Sequence, residues 1–374
     1  MISLFQCPIS LFCGQIEQNI LSLGWRILWR YGVVSASNLH IGQLNASSMI
    51  SLKTTFAGLA LRNPIIVGSC VLTYKPENNL AFEQAGAAAV VLKSLFEESI
   101  VRQADHLIHQ ADHPEAGDYM QGYLRNETLS EYIDVVRRSK QLCSIPIIAS
   151  ICCRSAGEWV AFAEAIERAG ADALELNVMG LATARNYEDG AFERNHIAIV
   201  ESVRQRVNIP IIVKLGANIT NPVNVADRLK AHGAAGVVLF NRPYQIDIDV
   251  EQMEYRSAKV VSQPSDLVNP LRWVGITAAA VKGLPIALSG GVQSGRDVVK
   301  AILAGASAVE VCSAIYREGN GWICSALDAI GQWCSRHGFF SIGEFRARMS
   351  ASDADNADSL ERMQFMRYFG GWRQ

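Results

Sequence analysis

The sequence has no Cys-x-x-Cys pair: its nine cysteines stand singly or as the adjacent Cys152-Cys153. Without paired spacing they supply neither a zinc cradle nor a disulfide framework, so reduced thiols and a cytoplasmic setting are expected. Net charge is also lacking. At −2 over 374 residues, the chain has no general attraction for nucleic acid or an anionic membrane, and neither is expected as a partner. No apolar run reaches the ~18 residues of a membrane span. With 49% hydrophobic against 19% charged residues, the composition is that of a globular protein with a substantial core.

The N-terminal stretch lacks more. Up to Ser48 it holds one acid (Glu17), no lysine, and arginines at 26 and 30. No basic segment precedes its apolar start, so it makes a poor signal peptide. The phrase MISL at residue 1 recurs at Met49, where a folded pattern begins. Residues 1–48 are expected to be an extension and 49–374 the domain. A transit peptide or a membrane-surface helix around 16–31 is the alternative.

What the chain does have is a fourfold repeat. Its first half is an apolar run introduced by proline: NPIIVGS at 63, IPIIASI at 145, IPIIVKL at 209 and LPIALSG at 284. Its second half is a Gly-Ala phrase entering another apolar run: AGAAAVVLKS at 85, AGADALELNV at 169, HGAAGVVLFN at 232 and AGASAVEVCS at 304. From proline to glycine the spacings are 22, 24, 23 and 20 residues. Each gap carries a helical pattern, such as GEWVAFAEAIERAG or NPVNVADRLKAHG. Strands this apolar are covered on both faces, as in parallel sheets joined by helices. Four strand–helix–strand units make eight strands, and the expected closure is an α/β (βα)₈ TIM barrel. An open doubly wound sheet offers no reason for fourfold regularity. Residues 52–64 read as a small N-terminal hairpin turning at Ala57-Gly58 and plugging the barrel. Extended loops are expected after strand 2 (96–132) and strand 6 (241–272), and a helical tail with an acidic segment over 341–374.

In this fold the chemistry sits at the carboxyl ends of the strands. Those positions hold Ser69-Cys70, Lys93-Ser94, Cys152-Cys153, Asn177, Lys214, Asn241, Gly290-Gly291 and Cys312-Ser313. Two lysines in one barrel mouth are costly unless an anionic ligand meets them; pairing with nearby acids is the plainer reading of each alone. SGGVQSG at 289–295 leaves strand 7 with three glycines and opens a helix, a backbone anion site suited to phosphate.

From Met49 onward the chain resembles the flavin-containing dihydroorotate dehydrogenases. NPIIVGS, VVLKS, LELN, PIIVKL, LFN, LSGGVQSG, CSAI and SIGEFRARMS carry the resemblance. It implies an FMN oxidoreductase acting on a CH–CH bond of dihydroorotate or a similar ring, in pyrimidine biosynthesis. The FMN ligands it implies are Ser69, Lys93, Ser94, Asn177, Lys214, Asn241, Gly290, Gly291, Cys312 and Ser313. Lys93 and Asn177 are the catalytic candidates, and a homodimer is the expected assembly. In the family the C5 proton goes to a cysteine or serine in the loop after strand 4, in a phrase like Asn-x-Ser-Cys-Pro-Asn. Here the loop reads NVMG, with Gly180 where the base is expected. The family's Asn-Ser-x-Gly-x-x-Asn phrase after strand 2 is replaced by GDYMQGYLRN at 117. Substitute bases within reach of the mouth are Cys70, Cys152, Cys153, His106, His109, His113 and Tyr119, although a packed thiol or a solvated histidine is the commoner fate of each. Three readings stay open: an FMN oxidoreductase, a flavin-binding subunit or regulator without turnover, and a flavin-free phosphate-binding barrel. A tRNA-acting flavin barrel needs a basic surface that this composition lacks.

Overall fold

In the computed structural model, residues 50–96, 117–153, 159–178, 180–242 and 245–361 are described. The chain opens with a hairpin of β1 (Thr54–Phe56) and β2 (Leu59–Leu61), paired Phe56 to Leu59. Its two turn residues, Ala57 (φ 49°) and Gly58 (φ 80°), are both left-handed, the turn whose twist matches a two-residue hairpin.

The repeat units follow. The first runs β3 (Ile65–Val67), α1 (Pro76–Gln84), β4 (Ala89–Val91) and a short β5 (Leu95–Phe96) that prolongs the second barrel strand. Helix α2 (Gly117–Leu142) leads to β6 (Ile147–Cys153), α3 (Trp159–Arg168) and β7 (Ala173–Val178). After α4 (Ala191–Arg204) come β8 (Ile211–Gly216), α5 (Pro222–Ala231) and β9 (Gly236–Asn241). A second hairpin, β10 (Ile246–Asp249) with β11 (Glu254–Ser257), precedes α6 (Val268–Ala280). The last unit is β12 (Ile286–Ser289), α7 (Gly295–Ala304) and β13 (Ala308–Val311), followed by α8 (Ser313–Glu318), α9 (Gly321–His337), α10 (Ile342–Phe345) and α11 (Ala354–Glu361).

The strands lie in the order β4-β3-β13-β12-β9-β8-β7-β6, all parallel, and β4 pairs with β6. That last pairing closes an eight-stranded barrel, as the repeat predicts. Helix α5 shows how the units are specified. The Asn221 side chain accepts from Asn224 N–H at 3.0 Å, Pro222 opens the first turn, and Val225, Ala226 and Leu229 bury one face. Side-chain cap and apolar stripe agree.

Along each strand, alternate residues point into the barrel. Ile66, Ile148, Ala173, Ile212, Val238, Ala287 and Ala308 form an inner apolar cluster with Phe56, Ala57 and Leu61 of the first hairpin. The hairpin thus plugs the barrel floor. Gly236 makes room for it, since a Cβ there would stand 3.1 Å from the Phe56 ring.

The long connections expected after the second and sixth strands carry structure of their own. Residues 117–132 belong to α2, because Tyr132, Ile133 and Val136 bury at helical spacing; residues 97–116 lie outside the described residues. The connection after the sixth strand folds on itself as the β10–β11 hairpin. Among the described residues no helix is long and apolar enough to cross a membrane. The extension 1–48 and the last part of the tail, 362–374, are outside the described residues.

Candidate active site

The alternation that buries the floor also builds the mouth. Two residues beyond Ile212 on β8 stands Lys214; two beyond Ala173 on β7 stands Glu175; two beyond Ala308 on β13 stands Glu310. These three inward side chains meet. Lys214 Nζ lies 2.5 Å from Glu310 Oε2 and 3.7 Å from Glu175 Oε1, and Glu175 is fully buried. Burial, with the Glu310 charge beside it, raises the Glu175 carboxyl well above the usual carboxylate range. Burial works against the Lys214 charge, but the two carboxylates outweigh it and hold the ammonium above its ordinary value. Lys214 and Glu310 need each other, because an unpaired buried charge costs several kcal/mol, roughly 3–5 for a broken pair.

Around this triad the strand ends carry a hydroxyl and amide network. Ser94 Oγ lies 3.1 Å from Ser69 Oγ and 2.8 Å from Ser150 Oγ, while Ser94 N–H donates to Ser69 Oγ at 2.9 Å. Tyr132 OH clamps the Ser150 backbone from α2, donating to its carbonyl at 3.1 Å and accepting from its N–H at 2.8 Å. Asn241 Nδ2 donates to Asn177 Oδ1 at 2.7 Å, tying β9 to β7. Lys93 Nζ sits 5.5 Å over the Tyr74 ring, and among the described residues it has no carboxylate partner.

The turn after β12 places Gly290 (φ 106°) and Gly291 (φ 74°) at the mouth. A Cβ at Gly291 would meet Leu267 N at 2.0 Å and Asp266 C at 2.6 Å, so the glycine is demanded by a crossing backbone as well as by any ligand. That backbone is the strap 258–267 descending from the second hairpin. Arg242 holds it, pairing with Asp266 at 3.1 Å and donating to the carbonyls of Lys259 and Val260. Ser262 N–H donates to Ser313 Oγ at 2.9 Å, so that hydroxyl is already engaged. The amides of Gln293 and Ser294, just before α7, are also taken. Asp297 Oδ2 accepts from Gln293 N–H and Ser294 N–H, both at 3.1 Å. An anion at the mouth would therefore not be met by the Gln293 and Ser294 amides.

These elements enclose one cavity of about 680 Å³. Its wall includes Ser69, Lys93, Ser94, Asn177, Lys214, Asn241, Gly290, Gly291, Cys312 and Ser313, all ten positions expected from the sequence. It also includes Cys70, Arg242, Glu310 and Tyr316 and part of the strap. Gly180 does not line it: its missing Cβ would face Phe192 at 3.2 Å. Cys152 is buried away from the cavity wall. His106, His109 and His113 lie outside the described residues, as do the side chains of Tyr119 and Cys153.

The profile of the family described as dihydroorotate dehydrogenase matches residues 51–332. The chain belongs to the dihydroorotate dehydrogenase family. It is 30% identical over 291 residues to a dihydroorotate dehydrogenase B (NAD(+)) catalytic subunit of Thermoplasma volcanium, covering 73% of this chain and 90% of that protein. It is 29% identical to the corresponding subunit of Pyrococcus horikoshii, over 78% of this chain and 95% of that one. The one from Methanosarcina acetivorans is 30% identical, over 69% and 84%. Membership makes this barrel that of an oxidoreductase, and the family is in general flavin-dependent.

The residues present fit such a group. A fixed ammonium at Lys214, a second ammonium at Lys93 with no carboxylate partner among the described residues and a turn of two left-handed glycines suit an anionic, planar ligand. Sequence reasoning missed Glu175, Glu310 and Arg242. For the two acids a signal existed: both sit two residues before a strand-end position already singled out, on the same inward face. Arg242 directly follows Asn241, but nothing local announced the strap it holds.

Proposed function

We propose that the protein is an FMN-dependent oxidoreductase that oxidises a CH–CH bond of dihydroorotate or a similar small ring. The observation that carries this reading is the gathering of all ten expected positions around one cavity whose Lys93 has no acidic partner among the described residues. FMN would supply the two-electron acceptor. Gly290, Gly291 and the Cys312-Ser313 backbone would hold its phosphate, and Lys214 would face the part of the ring that becomes negative on reduction. Lys93 would meet the substrate carboxylate, and the Asn177–Asn241 amide pair would orient the ring being oxidised. The strap 258–267 and the serine network would keep water out, which strengthens every charge inside.

One observation favours a second reading, a flavin-binding subunit or regulator with altered substrate or no turnover. Gly180 offers no proton acceptor and lies off the cavity wall. Anaerobic titration of the purified protein decides among the readings. A flavin absorbance band bleached by dihydroorotate supports the oxidoreductase. A band that dihydroorotate leaves unchanged supports the second reading or another ring substrate, which a panel of dihydropyrimidines separates. A colourless protein that binds inorganic phosphate points to a flavin-free barrel.

The proposal places the protein in the cytoplasm, with residues 49–374 as the working domain. It also makes the protein a homodimer. In the second hairpin Ile246, Ile248 and Tyr255 share one face by register and all are exposed, an apolar surface that a second copy would cover.

A further inference from the structure

The barrel ladder has a break beside the cavity. Val91 of β4 stands opposite Ile148 of β6, and the Ile148 carbonyl accepts from Leu92 N–H at 2.8 Å. The second strand rejoins β6 only at Leu95, opposite Ile151. Lys93 and Ser94 lie in the break and, although consecutive, both line the cavity. Ser150, two residues beyond Ile148, turns its backbone to the same side and finds no strand there. The Tyr132 hydroxyl takes the strand's place, bonding both its N–H and its carbonyl. With its backbone so held, Ser150 directs its side chain into the upper layer of the barrel, beside Glu175 on β7.

The break thereby joins three hydroxyls into a chain. Ser150 Oγ donates to Glu175 Oε1 at 3.4 Å. A hydroxyl has one proton to give, so the 2.8 Å contact between Ser94 Oγ and Ser150 Oγ is donated by Ser94. By the same count Ser69 donates to Ser94 at 3.1 Å, while its own oxygen accepts from Ser94 N–H at 2.9 Å. Every donor in the chain points from the cavity toward the carboxylate. Ser69 is half-buried on the cavity wall, whereas Ser150 and Glu175 have no exposed surface. Glu175 Oε2 has no hydrogen-bond partner. A buried carboxyl oxygen with nothing to accept from, at the end of a directed hydroxyl chain, is a seat for a proton.

We infer that Ser69, Ser94 and Ser150 relay the ring proton from the cavity to Glu175, which serves as the proton acceptor that the loop after β7 does not supply. The inference rests on the dehydrogenase reading. The ring C–H proton passes to Ser69 Oγ as the Ser69 proton moves to Ser94, the Ser94 proton to Ser150 and the Ser150 proton to the Glu175 carboxylate. The carboxylate becomes an acid, each serine ends neutral, and the hydride of the adjacent C–H is the one that the proposed FMN accepts. The proton returns along the same chain once the product has left. Three charged or titratable groups face Glu175: Lys214 from β8, Glu310 from β13 and Tyr132 from α2. Burial and Glu310 together outweigh Lys214 and raise the Glu175 carboxyl. The resting acid must therefore lose its proton before it accepts another, and ring oxidation speeds up as pH rises toward that raised value.

Two measurements on the full-length protein test the relay. In the flavin-loaded form, Glu175→Gln and Ser150→Ala should keep the flavin absorbance and be reduced by dihydroorotate ~10²-fold or more slowly. The wild-type rate should climb with pH, and Glu175→Gln should lose that rise. Either variant reducing at the wild-type rate, or a rise retained in Glu175→Gln, overturns the relay. The second measurement needs no substrate. The protonated-carboxyl infrared band that disappears in Glu175→Gln belongs to Glu175, and its shift after transfer to D2O times the exchange of that proton. Exchange should be ~10-fold or more slower in Ser150→Ala, which lacks the middle hydroxyl. Exchange as fast as in the wild type overturns the relay. A wild-type flavin that dihydroorotate leaves oxidised counts against the dehydrogenase reading alone, and the exchange rates then decide the relay by themselves.

Discussion

Ile212, Ala173 and Ala308 point into the lower half of the barrel, where Phe56 closes the floor; Lys214, Glu175 and Glu310 point into the upper half, two residues further along the same strands. The backbone is the same and the side-chain period is the same. The lower layer is complete in itself, since apolar contacts need no further partner. The upper layer is a set of charges and amides that satisfy one another only around an opening. Fold and site are therefore written in one register, and the step from one to the other is a single turn of the alternation.

The largest expected effect comes from the place where the upper half is crossed by backbone. Gly291→Val drives a Cβ onto the Leu267 amide, 2.0 Å away, at a φ of +74°. The Arg242–Asp266 pair holds the strap in place against it. A loss above ~4 kcal/mol is expected, in the range that marks severe backbone conflict, together with loss of any bound flavin. Chemical denaturation and absorbance read both. A variant with wild-type stability would mean that the strap does not lie across this turn.

Lys214→Ala and Ile212→Ala, on one strand, separate the two layers directly. Ile212→Ala leaves a void in the floor and should cost ~2–5 kcal/mol without altering flavin chemistry. Lys214→Ala strands Glu310 and Glu175 without a cation and should cost ~3–5 kcal/mol. It should also slow flavin reduction by ~10²-fold. Stopped-flow reduction and denaturation curves measure the pair. Equal effects on reduction from both variants would erase the distinction between the layers.

How far the sequence foretold this follows the same division. The repeats specified eight strands because each strand must be apolar on both faces, a demand visible in every unit from NPIIVGS to AGASAVEV. The first hairpin was legible from Ala57-Gly58 and its flanking alternation. Strand-end residues were legible because the fold places them. Interactions between distant strands were not: Lys214 and Glu310 lie 96 positions apart, and no local pattern couples them. The capping of α7 by Asp297 hid for the opposite reason, since a glycine-rich helix start looks open until its own side chain folds back onto it. The strap was hidden because β10 and β11 expose most of their apolar residues, which reads as a loop.

A smaller effect tests the charge balance of the upper layer. Burial and Glu310 raise the Glu175 carboxyl, so the folded state keeps a proton that the unfolded chain gives up near pH ~4.3. Where the folded state binds more protons, stability falls as pH rises. The fall should begin near the unfolded value and continue up to the raised one. Glu175→Gln keeps the shape and removes the titration. Its stability should match wild type near pH ~4 and exceed it toward neutrality. Denaturation across that range measures it; parallel curves would place an ionised Glu175 in the folded protein.

The smallest effect is expected at Gly180. If the loop after β7 carried its side chain over the cavity, Gly180→Cys would install a proton acceptor there and raise flavin reduction by dihydroorotate ~10²-fold or more. The loop runs otherwise. The Gly180 carbonyl accepts from Asn218 Nδ2 at 3.0 Å, which anchors it to the segment after β8. A Cβ at this position would approach the Phe192 ring at 3.2 Å, so a thiol would pack toward α4 and away from the cavity. The expected change in reduction rate is therefore within about twofold, with a slight loss of stability from the tight contact, of order ~1 kcal/mol. Anaerobic mixing of both forms with dihydroorotate measures it. A large gain would show that the Asn218 anchor releases and that the loop swings over the cavity when the ring is bound.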